Sequence, residues 1–405
     1  MAYRRALTLA AVCAAAFLLV PLHAQQPLGA GAGQANARFH RHPGPKVPNS
    51  YIVVLDQDPT PDGDENQSAL DADDVIARTR SGRLHHVYSH ALRGFSAEMS
   101  EEDALALADD PRVAYVEEDG EMQIVTTQSP ATWGLDRIDQ AALPLSNSYT
   151  YTTTGSGVNA YVIDTGILIT HQQFGGRAAV AVDEVGDGRN GIDCNGHGTH
   201  VSGTIGGSTY GVAKSVRLFA VRVLNCSGSG STSGVIAGVD WVTSHHASPA
   251  VANMSLGGGA STALDTAVNN SITSGVTYAV AAGNSNTNAA NSSPARVAAA
   301  ITVGASTNGD ARSSFSNFGS VVDIFAPGSS ITSAWIGSNT AINTISGTSM
   351  ATPHVAGVAA RYLQTHTTAS PATVRNAIVN AANLNRLSGI PLGTANRLLF
   401  WSGAQ

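Results

Sequence analysis

The chain has 405 residues, 43% of them hydrophobic and 13% charged, against about 25% charged in an average globular chain. That apolar fraction excludes intrinsic disorder, and the shortage of charge excludes a long coiled coil. The formal charge of −7 is unevenly spread: residues 51–125 hold 18 acids against 5 bases, whereas residues 126–405 hold 11 acids and 12 bases. No basic stripe with interleaved aromatic residues is present, so nucleic acid is not an expected partner.

Arg4 and Arg5 precede an apolar run over residues 6–20, and Leu22, His23 and Ala24 offer a small residue at a cut, the layout of a secretory signal over residues 1–24. The run is shorter than the roughly 20 residues that span a bilayer. An exported protein free of the membrane after signal removal is therefore expected, and Cys13 leaves with the signal. Residues 25–50, rich in Gly, Ala, Pro and Gln without an apolar period, read as a linker. A unit over residues 51–125 follows, with strands at 51–55, 85–89, 92–98 and 113–116 and a helix within 71–80. A second helix opens at Ser100, an N-cap followed by Glu101, Glu102 and Asp103, and stops at Pro111. This β-α-β-β-α-β order predicts a small α+β split-βαβ, ferredoxin-like domain. Its histidines His85, His86 and His90 lack ligand-like partners and read as surface or packing residues.

From residue 126 the composition shifts to Gly, Ser, Thr, Ala and Val. Apolar runs at 158–163, 216–223, 276–281 and 299–303 alternate with helical stretches at 233–244 and 349–364. Continuous apolar strands separated by helices predict an α/β domain, a mostly parallel sheet covered on both faces, over residues 126–405. Sites in such sheets lie at the carboxyl ends of the strands.

Three segments qualify. Asp164 ends an apolar strand just before Gly166; desolvated there, it needs a donor to stay ionised, although a turn cap uses the same pattern. His197 and His200 sit in NGHGTH, whose spacing is not the His-Glu-x-x-His of zinc proteases. One of the two is better read as a general base, with His200 structural. Ser349, in SGTSMATPH, is placed at a helix N-terminus where free N–H groups stabilise an oxyanion; Pro353 is tolerated in a first helical turn, and a small-residue loop can also simply pack. Together they are more specific. A serine hydroxyl needs an imidazole to take its proton, and the imidazole needs a buried carboxylate to hold its tautomer. The chain order Asp164, His197, Ser349 differs from the Ser, Asp, His order of α/β-hydrolases.

The segments YVIDTG, NGHGTHVSGTI, NMSLGGG, AVAAGN and SGTSMATPHVAG resemble those of the subtilisin-like serine proteases, in particular the proteinase K branch and its aqualysin-type bacterial members. The likeness runs from Gln128 to Leu399. Residues 51–121, ending ALRGFSAEMSEEDALALADDPRVAYVEED, resemble the inhibitor propeptide of the same family. The resemblance implies a three-layer subtilisin-like domain and a secreted serine endopeptidase, monomeric and acting on proteins or peptides, with its own propeptide as intramolecular inhibitor. Esterase activity and a non-catalytic binding protein on the same fold are the alternatives. Ser349 becomes the nucleophile, His197 the general base, Asp164 its orienting carboxylate and Asn284 the side-chain donor to the oxyanion.

Substrate is expected to pair as a strand with Gly228, Ser229 and Gly230 on one side and Ser255, Leu256 and Gly257 on the other. The walls Gly257, Gly258, Ala281, Ala282 and Gly283 form a wide apolar slot for large apolar or aromatic side chains. Cys194 and Cys226 are the pair left after signal removal and are expected to form a disulfide, matched in the aqualysin-type enzymes, whose second pair falls here at Ala290 and Val321. No catalytic cofactor is implied, but structural calcium is. One implied site uses Asp323 with the carbonyls of Ala298 and Ala300; another uses Asp136, Asp139 and Gln140, with Ser146 and Ser148 as weaker ligands. Arg386 stands where a further site has an aspartate, so that site is not expected. Self-cleavage is expected between Gln123 and Thr127, close to Thr126.

Overall fold

The computed structural model describes residues 37–42, 46–56, 65–120 and 125–402. The expected signal segment, part of the expected linker, and Gln123 and Ile124 in the expected processing region lie outside the described residues. The chain divides into two compact units, residues 1–121 and 122–405.

The first unit contains β1 (Phe39–His40), β2 (Lys46–Leu55), α1 (Glu65–Ile76), β3 (Arg83–Tyr88), β4 (Gly94–Glu98), α2 (Glu101–Ala108) and β5 (Val113–Gly120). The sheet order is β1-β5-β2-β4-β3, antiparallel except for the β1 and β5 pair. The split-βαβ arrangement is therefore present, with three departures in extent. Strand β2 begins at Lys46, and Phe39, in the stretch read as linker, is buried against Tyr51 and adds β1. Helix α1 begins at Glu65 rather than Asp71 and ends at Ile76 rather than Arg80, where the Thr79 hydroxyl donates to the Ile76 carbonyl at 2.7 Å and accepts from the Gly82 N–H at 2.9 Å, closing a turn. Ser100 caps α2, accepting from the Asp103 N–H at 3.1 Å. His85, His86 and His90 are exposed.

The second unit is built on nine strands: β6 (Asn159–Asp164), β7 (Ala178–Asp183), β8 (Arg217–Arg222), β9 (Ala250–Met254), β10 (Thr277–Ala281), β11 (Ile301–Ser306), β12 (Ile324–Pro327), β13 (Asn383–Leu384) and β14 (Arg397–Leu398). Their order is β13-β14-β12-β11-β10-β9-β6-β8-β7, parallel throughout except between β13 and β14. Helices α3 (His197–Gly206), α6 (Thr348–Thr365) and α7 (Pro371–Ala381) cover one face, and α4 (Thr232–His245) and α5 (Thr262–Thr273) the other. Strand β6 shows why the run between Asn159 and Asp164 is apolar: Ala160 and Val162 enter the core with Val201, Ile205 and Val355, while Tyr161 and Ile163 enter the opposite core with Val239, Val242 and Val268. A strand buried on both faces has no side left for polar residues. Among the described residues, no helix is long and apolar enough to cross a membrane.

Two buried histidines brace the α3 and α6 layer. His200 donates through Nε2 to the Ile331 carbonyl at 3.0 Å, and His354 donates through Nδ1 to the Met350 carbonyl at 2.9 Å. Burial pushes both pKa values down to about 4, against an ordinary value of about 6.5 in the unfolded chain. Between those values the unfolded state binds more protons than the folded state, so this stability is present above pH ~6.5 and is lost as pH falls towards ~4. Calorimetric unfolding midpoints are expected to drop across that window. A midpoint that stays level down to pH ~4 would contradict the assignment of both rings as buried and neutral.

Candidate active site

Asp164, at the carboxyl end of β6, has no exposed surface, and ionised there it requires donors. It accepts from the Thr165 N–H at 2.7 Å and from His197 Nδ1, at 2.8 Å to Oδ1 and 3.0 Å to Oδ2. Because the carboxylate can only accept, Nδ1 carries the proton and Nε2 is left as the basic nitrogen. Burial pushes the His197 pKa down, but the charge and hydrogen bond of Asp164, with a smaller contribution from Asp193, raise it above the ordinary histidine value.

Close backbone approaches hold His197 there. Gly196 caps α3 at φ +107°, and a Cβ on it would lie 2.5 Å from the Trp335 ring. A Cβ on Gly198 would lie 2.2 Å from the Gly166 carbonyl oxygen. Asp193, which motif reading passed over, organises the turn: it accepts from the N–H groups of Asn195, Gly196 and Thr199, each at 2.9 Å, and from the Thr165 and Thr199 hydroxyls. Cys194 and Cys226 are disulfide-bonded across 32 positions, joining this turn to the loop ahead of Gly228. The chain-entropy model values such a closure at about 3.5–4 kcal/mol.

Ser349 is the second residue of α6, at the helix N-terminus as expected, and Pro353 is the sixth, beyond the first turn expected for it. Proline has no N–H to offer the carbonyl four residues back, so the Ser349 carbonyl needs another partner. The Ser255 hydroxyl donates to it at 2.8 Å, and the Ser349 hydroxyl donates in return to the Ser255 carbonyl at 2.9 Å. Ser255 follows β9, the neighbour of β6, so this exchange ties the serine to the strand beside Asp164. Asn284 is oriented by Thr348, whose N–H and hydroxyl donate to Asn284 Oδ1 at 2.8 and 2.9 Å. A backbone N–H can only donate, so Oδ1 is the engaged atom and Nδ2 is left to donate elsewhere. Asn317, also unforeseen, braces the loop by donating to the Ala282 carbonyl and accepting from the N–H groups of Ser285 and Thr287.

Two clefts share the wall of Leu256, Gly257, Gly258 and Gly259. One, of about 500 Å³, is lined by His197, Gly228, Ser229, Gly230, Ser255 and the apolar Leu224, Val235 and Leu264. The other, of about 380 Å³, is lined by Ala281, Ala282, Gly283, Asn284, Thr348 and Ser349. Every residue expected at the catalytic centre or along the substrate edges lines one of them, apart from Asp164, which is buried behind His197.

The calcium expectations divide. Asp136 accepts from Ser146 and Asn147, and from the Gln140 amide. Asp139 Oδ2 accepts from the Thr150 N–H at 2.6 Å, whereas its Oδ1 is buried without a partner. Burial, with the Asp136 charge adding to it, pushes the Asp139 pKa up to about 6. An orphaned buried carboxylate oxygen beside a second carboxylate fits a hard cation. Asp323 and Ala300 do not fit in the same way, because Arg375 donates to both; Ala298 is exposed. Among the described residues, no group of three or more His, Cys, Asp or Glu is placed so that it could hold a metal ion.

Comparison with known proteins agrees with this arrangement. Residues 155–396 match the Subtilase family and residues 50–125 match Peptidase inhibitor I9. The chain is 60% identical over 318 residues to an extracellular serine proteinase of Thermus sp. strain Rt41A, covering 78% of each chain. It is 51% identical over 363 residues to alkaline serine exoprotease A of Vibrio alginolyticus, covering 87% of this chain and 67% of the relative. The crystal structure of a cold-adapted subtilisin-like serine proteinase superimposes with a TM-score of 0.66 at 58% identity, covering 67% of this chain and 98% of that one. With a buried carboxylate and imidazole pair and a serine at the head of a long helix, the chain belongs to the Subtilase family of serine proteases and carries an inhibitor segment ahead of the protease domain.

Proposed function

We propose that the protein is a secreted serine endopeptidase made as a self-processed zymogen. Residues 1–24 act as the signal, 25–50 as a linker, 51–125 as the inhibitory propeptide and 126–405 as the enzyme. The observation that carries the reading is the Asp164 and His197 pair, which leaves Nε2 free as a base; His197 lines one of two clefts that share a wall, and Ser349 and Asn284 line the other. The Ser349 oxygen attacks the scissile carbonyl carbon while its proton passes to His197 Nε2. The carbonyl oxygen takes the negative charge and is met by Asn284 Nδ2 and the Ser349 N–H at the helix N-terminus. His197 then gives its proton to the departing amine as the C–N bond breaks, and water reverses the sequence to release the acid.

The walls Gly257, Ala281, Ala282 and Gly283 offer no charge, which favours large apolar or aromatic side chains before the cut. Gly258 and Gly259 are exposed, leaving a backbone edge for an incoming strand. Asp136, Asp139 and Gln140 are the residues that would hold calcium, which would supply only neutralisation of buried charge.

Casein digestion is expected and should be blocked by a serine-directed phosphonate; an esterase spares casein and a binding protein does nothing. The Ser349→Ala chain should accumulate uncut, and efficient loss of residues 51–125 from it would show that another protease does the processing. Asn284→Ala should lower kcat with little change in KM, by roughly 100- to 1000-fold, a range established for removal of one such donor in subtilisin itself. An unchanged kcat would remove Asn284 from the chemistry. Asp139→Asn should lower bound calcium by one per chain and reduce the calcium-dependent rise of the unfolding midpoint, both read on the phosphonate-inhibited enzyme.

A further inference from the structure

Asp323 lies in the turn entering β12, and its surroundings are cationic before any metal is considered. Its Oδ2 accepts from the Thr302 N–H at 2.8 Å. Its Oδ1 accepts from Arg375 Nη2, while Nε of the same guanidinium donates to the Ala300 carbonyl at 3.3 Å. One planar group therefore spans two of the three residues, Asp323 and Ala300, that the resemblance assigns to a calcium ion. The carboxylate side chain is only 12% exposed, so its charge needs a local partner. The charged groups that bear most strongly on it are Arg375 and Arg397, both positive.

We infer that the Arg375 guanidinium is the resident cation of this site, standing where the family resemblance places calcium, and that Asp323 takes no metal in this chain. Calcium requires six to eight oxygen ligands and enough negative charge to offset its dehydration. Here a single carboxylate is already bonded to Arg375 and feels the positive charge of Arg397, so a dication would enter a site whose negative charge is already neutralised. A guanidinium needs no dehydrated cage. It stays protonated at all working pH values, and its fixed fork of donors suits a carboxylate and a carbonyl lying side by side. The arginine is held by the core rather than by the ion pair alone. Helix α7 is capped by Ser370, starts with Pro371, and buries Val374, Ile378 and Val379, which sets Arg375 against the Ala300 and Asp323 turns. The structural role of a metal at this point, tying the β11 and β12 ends together, passes to a covalent part of the chain.

The test uses the full chain carrying Ser349→Ala, so that self-digestion does not intervene, equilibrated with calcium chloride and desalted before metal analysis. Asp323→Asn is expected to leave the calcium bound per chain unchanged; loss of one equivalent overturns the inference. Arg375→Ala should lower the unfolding midpoint by a few degrees in the presence of chelator, and Arg375→Lys, which keeps the charge, should recover part of that loss. An Arg375→Ala midpoint equal to that of the parent chain overturns it as well.

Discussion

The second unit is organised around a charge placed where water does not reach. Asp164 ends a strand buried on both faces, and a bare carboxylate in that position is strongly disfavoured. Its donors come from the residue that follows it and from a turn 33 positions later, so ionisation of Asp164 and placement of His197 are one condition. The energetic need of the carboxylate orients the imidazole, and the orientation leaves Nε2 facing the cleft. Asp193, the disulfide and the glycines beside His197 keep the turn close enough for that bond to form.

The serine side is set by a second unmet need. Pro353 leaves the Ser349 carbonyl without its helical partner, and Ser255 supplies one while receiving the Ser349 hydroxyl. In this state the Ser349 hydroxyl is parked on a carbonyl, and the nucleophilic role proposed for it requires it to leave that acceptor. Thr348, one residue earlier, turns the Asn284 amide so that its nitrogen remains available. Helix α6 thus positions both Ser349 and Asn284 through two consecutive residues.

Several arginines inside this unit are paired with carboxylates, whereas fully buried Arg361 donates to the Thr153 and Tyr149 hydroxyls. Arg137 meets Asp310 in a two-point contact, and fully buried Arg222 joins Asp183 and Asp187 to the Thr165 carbonyl next to Asp164. Removing one partner from such a buried pair strands the other charge, which is why these arginines act as braces. Arg375 extends the same device to Asp323. Four of the 12 bases after residue 125, Arg137, Arg222, Arg296 and Arg375, meet carboxylates directly, and the excess acid belongs to the smaller unit.

Sequence alone determined what depends on local pattern. Runs with no polar face marked β6, β8, β10 and β11 as doubly buried strands, Ser100 and its acids marked the start of α2, and the order of Asp164, His197 and Ser349 separated this arrangement from other hydrolases. The tertiary structure decided what depends on partners distant in the chain. Lys46 and Phe39 join the first sheet through β5, some 70 residues on, which composition cannot reveal. Ser255 matters because a proline 98 positions later leaves a carbonyl unpaired, and Asp323 meets a guanidinium 52 positions away. Hydrophobic period and capping are properties of neighbours in sequence. Satisfaction of buried polar groups is a property of neighbours in space, and only the folded chain states which residues those are.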